Sequence, residues 1–108
     1  MDNHALAEQL TGLASRMNDL MVATTGDESR SFSDLQNALS GQAMAAIARS
    51  LDQTTSQYAD VVATLQAACS AADDAERQLA KTANSIEFVA KALKLATQAS
   101  GQAAALLA

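Results

Sequence analysis

The chain reads as an all-α protein: an amphipathic N-terminal helix, a short polar loop, then a long heptad-patterned, alanine-rich helix. Such elements pack as an antiparallel helical bundle or coiled-coil assembly. Three observations carry this. The 108 residues include 26 alanines, no proline and only four glycines, a composition that favours uninterrupted helices over turn-rich β structure. Large apolar residues recur at steps of three and four rather than two. One such stripe holds its register from Ile47 to Leu107. The length suits a single domain over residues 1–108.

The first element is predicted over about residues 3–24. Leu6, Leu10, Leu13, Met17 and Leu20 follow one another at steps of four, three, four and three, which places them on one helix face. Asp2 or Asn3 can cap its start. Its end is set at Thr24-Thr25-Gly26, where glycine can take the left-handed conformation of a C-cap. Residues 25–32, mostly polar and without periodicity, read as a loop. A second helical region is expected from about 33 to 105, with capping boxes near Ser31 and Ser33. A kink is expected near 40–42, because Phe32, Leu35 and Leu39 are out of phase with the stripe that begins at Ile47.

From Ile47 onward, alternating steps of four and three give eighteen positions with no charge and no amide. Ten of them are Leu, Ile, Val or Tyr. The helix–helix interface is therefore assigned to Leu51, Tyr58, Val61, Leu65, Ala68, Ala72, Leu79, Ile86, Val89 and Leu93. Ten of the eleven charges in this stretch lie on the outer positions, as a buried 3.5-residue seam requires. The flanking positions are mostly small and uncharged, which suits three or four closely approaching helices better than a two-stranded coil. Ser70 and Asp73 offer a turn near residue 70 as the alternative to one continuous helix. The unbroken register favours continuity, and a continuous helix of about 60 residues would be about 90 Å long. Most of its apolar face would then need a second chain.

Charge and chemistry narrow the function classes. The net charge is −5, which opposes binding to nucleic acid. Residues 77–108 nevertheless carry +3 against −3 over 1–31 and −5 over 32–76. Oppositely charged segments would attract if the chain folds back, or if neighbouring subunits meet head to tail. Ser40-Gly41-Gln42-Ala43 recurs as Ser100-Gly101-Gln102-Ala103, a candidate pair of small-residue contact points. Cys69, the one cysteine, reads as a small packing residue. With one histidine, His4, no metal cluster has a recognised spacing, and the Asp73-Asp74-Glu76 group reads as a solvated face rather than a raised-pKa acid. Neither cofactor, metal nor small-molecule ligand is expected, and the protein is expected not to be an enzyme. No signal-peptide pattern or membrane-spanning run is seen. A cytoplasmic protein is expected, with export by a route that needs no cleaved signal left open.

The expected function is helix-mediated interaction, as a homo-oligomer or with a helical protein partner. Small, proline-free, alanine-rich helical chains of this kind are similar in general style to subunits, adaptors, chaperones and leaderless exported components of bacterial secretion systems. The likeness is one of size and composition, and the Trp-X-Gly turn of the best-known exported hairpins is absent. The alternative is an amphipathic coat protein on lipid or polymer granules. The largely acidic polar face argues against that, because surface-lying helices favour Lys and Arg there.

Overall fold

The leucine stripe of the N-terminal segment does become one helix face. In the computed structural model, which describes residues 4–49, 51–81 and 85–108, α1 spans His4–Ala23, α2 Gly26–Ala48, α3 Ser56–Lys81 and α4 Ile86–Leu107. The candidate caps Asp2 and Asn3 lie outside the described residues, as does the seam position Thr82. Leu6, Leu10, Leu13, Met17 and Leu20 are all fully buried. At the C-terminus of α1, Thr24 Oγ1 donates to the Leu20 carbonyl at 2.7 Å and Ser29 Oγ to the Met21 carbonyl at 2.9 Å. These bonds satisfy acceptors that a helix end otherwise leaves open.

The polar loop expected at 25–32 is instead the first turns of α2. Only Thr24 and Thr25 separate the helices, because Gly26 adopts φ +66° and reverses the chain in a single step. Asp27 and Glu28 stand in the first turn, where carboxylates favour the positive end of the helix dipole. These residues lack a stripe because they form the solvated start of a helix whose first core residue is Phe32. The kink expected near 40–42 does not interrupt the helix either. Phe32, Leu39, Ala43 and Ala46 are the buried residues of α2, at steps of seven, four and three, so the stripe runs straight through. Ile47, taken as the start of the following seam, is 60 % exposed. Two alanines carry the inward phase that a larger residue obscured.

The single long helix is likewise replaced. The chain leaves the helical conformation after Ala48, runs to Ser56, and reverses again between Lys81 and Ile86. It does not turn near residue 70, which lies within α3. The connection before α3 is built from side-chain bonds. The Asp52 carboxylate accepts from the Thr54 amide at 2.9 Å and its hydroxyl at 2.6 Å, an Asx-type turn. Thr55 Oγ1 then accepts from the Tyr58 amide at 3.2 Å and caps α3. Leu51 tucks against the core from within this connection, and Thr54 is exposed.

The four helices among the described residues form an antiparallel bundle of two hairpins. α1 packs on α2 and α3, and α4 on α3 and α2. Within each hairpin the helices are antiparallel. Across the hairpins, Arg16 meets Asp73 and Gln42 meets Ser100, so α1 runs parallel to α3 and α2 to α4. The bundle measures 45 × 21 × 18 Å. Its core pairs unlike faces. α1 contributes five large side chains, whereas α3 presents Ala68, Ala71, Ala72 and Ala75, and α4 presents Ala92, Ala96, Ala99 and Ala103. Alanine faces let helix axes approach closely, and the large side chains fill what remains.

Burial predicts opposite outcomes for two seam residues. Leu65 is 0 % and Ile86 74 % exposed. Leu65→Asp should therefore abolish cooperative folding, since an unpaired buried charge costs about 3–5 kcal/mol. Ile86→Asp should stay within about 0.5 kcal/mol of the parent. Circular-dichroism melts compare them directly. Gly41 and Gly101 sit in helix interiors, and an added methyl group would meet nothing within 4 Å at either position. Gly41→Ala and Gly101→Ala should each stabilise the folded single chain by about 0.5–1 kcal/mol in urea titrations at high dilution.

Candidate interaction faces

The ten residues assigned to a helix–helix interface fall into three groups. Tyr58, Val61, Leu65, Ala68 and Ala72 of α3 and Val89 of α4 are buried in the bundle. Leu51, Leu79 and Leu93 are partly buried against the same core. Ile86 stands in solvent at the first position of α4, away from the core in which the stripe placed it. The seam thus describes two separate helices. Ala75 and Val89 are fourteen residues apart, two whole heptads, so the reversal between them leaves the register looking unbroken.

A shallow groove of ≈ 460 Å³ runs between α1 and α3, lined by Glu8, Gln9, Gly12, Arg16, Gln66 and Cys69 among others. Arg16 closes one end. Its Nε donates to Asp73 Oδ1 at 2.9 Å and its Nη1 to the Gly12 carbonyl at 3.1 Å. Gly12 makes this possible, since a Cβ there would sit 3.2 Å from the guanidinium. The hydrogen bond to Asp73 raises the Arg16 pKa further above its ordinary value. Both partners remain partly solvated, at 34 % and 44 % exposure, so the pair fixes the α1–α3 register more than it stabilises the fold. Burial pushes the Cys69 thiol above its usual range; the Arg16 charge opposes that shift and Asp73 adds to it. A thiol so placed is mostly protonated at neutral pH and is a poor nucleophile.

The opposite side, where α2 lies beside α4, has a different character. Gln42 Nε2 donates to the Ser100 carbonyl at 2.9 Å and to its hydroxyl at 3.2 Å. The two Ser-Gly-Gln-Ala segments are therefore neighbours, with Ala43 and Ala103 buried behind them. Their glycines point outward rather than into the helix crossing. Ala38, Gly41, Gln42 and Ala45 follow one another on α2 at the same spacing as Thr97, Ser100, Gly101 and Ala104 on α4, so each set forms one stripe. Ala38, Gly41, Thr97, Gly101 and Ala104 are exposed. Residues 35–48 and 95–108 contain no ionisable side chain. Met44 and Ile47 are 74 % and 60 % exposed on the same stretch of α2.

The chain matches no known protein family, no curated protein and no solved structure. Among the described residues no helix is long and apolar enough to cross a membrane, and no group of three or more His, Cys, Asp or Glu side chains is placed to hold a metal ion. The sequence signalled the α2–α4 contact only through its repeated tetrapeptide. Nothing in it announced the Arg16–Asp73 pair.

The placement of Cys69 is directly testable. Its alkylation by iodoacetamide at neutral pH should be slower than that of a free thiol and should accelerate on denaturation. The fold raises the proton affinity of both Cys69 and Tyr58 by burial. Their contribution to stability is complete below the unfolded-state pKa values and is lost as pH rises through the folded ones. The melting temperature should accordingly fall in the alkaline range, less steeply in Cys69→Ala.

Proposed function

We propose that this chain acts without catalysis, as a helical interaction and assembly subunit whose activity is association with a second copy or another helical chain. One observation carries the reading: the uncharged halves of α2 and α4 lie side by side, with Ala38, Gly41, Thr97, Gly101 and Ala104 exposed along them. Contiguous exposed apolar surface is the usual mark of a contact site. The Ala-rich seam itself is occupied inside the bundle, so association uses an outer face of the folded chain and not an open helix. A small subunit, adaptor, chaperone or leaderless exported component of a bacterial secretion system would need such a surface.

Granule or lipid coating is the competing role. It would require the bundle to open, because Tyr58, Val61, Leu65 and Val89 are buried within the chain. Sedimentation equilibrium, combined with flotation on vesicles and polymer granules, separates the two. A mass above that of the monomer, with no flotation, is the expected result. A monomer that floats with either particle would overturn the association reading.

A further inference from the structure

The charges of the α2–α4 side divide it into two halves. From residue 35 in α2 and residue 95 in α4 there is no ionisable group to the end of either helix. The other half of α2 carries Asp27, Glu28 and Asp34 around Arg30, with Asp34 in line with Ala38, Gly41 and Ala45; that of α4 carries Glu87 and Lys94 towards this side, while Lys91 lies beside Phe88 on the other flank. Arg30 pairs locally with Asp27. Asp34, Lys91 and Lys94 make no ion pair among the described residues. The start of α2 thus offers Asp34, and the start of α4 Lys94, close to the same level of the bundle.

Gly41 and Gly101 stand in the uncharged half. Each sits inside a helix, exposed, with no positive φ and nothing within 4 Å of a Cβ position. Glycine inside a helix costs about 0.5–1 kcal/mol relative to alanine, and no contact within the chain offsets it. Close approach of another backbone from outside would.

We propose that the α2–α4 side receives a second copy of this chain, related by a twofold axis parallel to the helices. The inference rests on the association reading above and names its face and geometry. That rotation lays α2 of each copy against α4 of the other at unchanged height. Asp34 of each copy then comes close to the level of Lys94 of the other, twice over, and the uncharged half meets its own equivalent. A twofold axis across the helices would instead oppose charges to Ala and Gly and desolvate them unpaired. The α1–α3 side is disfavoured in a chain of net charge −5, since Glu8 lines its groove and Asp19 stands beside Arg16 there. The bundle is 45 Å long and 18–21 Å across, so one whole side is large enough for the about 800 Å² per partner of a standard stable interface.

Cross-linking of the full chain tests the geometry. In a Cys69→Ser background, Gly41→Cys chains mixed with Gly101→Cys chains should form a disulfide-linked dimer under mild oxidation. Either variant alone should form at least about tenfold less. Equal yields, or none from the mixture, overturn the arrangement. In sedimentation equilibrium, Gly101→Glu should weaken the wild-type dimer by at least about tenfold. Ala63→Glu, an exposed substitution on α3, should leave it unchanged. Gly101 is exposed and Glu is a better helix former, so helix content by circular dichroism should be retained. A dimer that survives Gly101→Glu defeats this face while leaving association standing. A wild-type chain that stays monomeric at about 100 µM defeats the self-pairing and leaves only a heterologous helical partner for the broader reading.

Discussion

The five large side chains of α1 are the constraint on which the bundle depends. Leu6, Leu10, Leu13, Met17 and Leu20 are buried completely, and the helices across the core offer mostly alanine. An alanine face buries little area alone, so α3 and α4 together would make a thin, weakly driven hairpin. Against the α1 stripe the same faces become complementary, small residues opposite large ones, at the density a protein interior needs. The second hairpin therefore has a core only because the first one supplies its volume.

Polar contacts serve a different purpose. Arg16–Asp73 and Gln42–Ser100 each join two parallel helices from different hairpins, and each is partly open to water. Neither adds much free energy. Apolar faces rich in alanine slide past one another with little change in fit. A directional bond on either side of the bundle singles out one height for the two hairpins.

How far the fold could be read from the chain varied with the element. The end of α1 was legible because leucine spacing, two threonines and a glycine agreed with one another. α3 and α4 were legible as helix faces but not as separate helices: Leu51 keeps to the stripe from within a connection, and Ala75 and Val89 are separated by a whole multiple of seven. A helix reversal does not conserve phase in general, and here it did so by coincidence of loop length. α2 was the least legible, because its core contacts are Phe32, Leu39 and two alanines while Met44 and Ile47 point away. Hydrophobicity ranks Ile above Ala, whereas burial in this helix does the reverse. The face between α2 and α4 depends on helices distant in the chain, and only the repeated tetrapeptide hinted at it.

The two-residue turn at Thr24 and Thr25 bears on how the chain reaches this structure. Closing a helical hairpin across so short a link costs little loop entropy, and the α1–α2 contacts it brings together are local in sequence. α3 and α4 are likewise neighbours in the chain. Topologies built from such local pairs belong to the rapidly folding end of the range. The α3–α4 hairpin, weakly driven alone, gains its packing only as its alanine faces meet the leucine stripe of α1, so the fold is completed by the joining of the two halves of the chain. A chain of this construction recovers its native state quickly after forced unfolding.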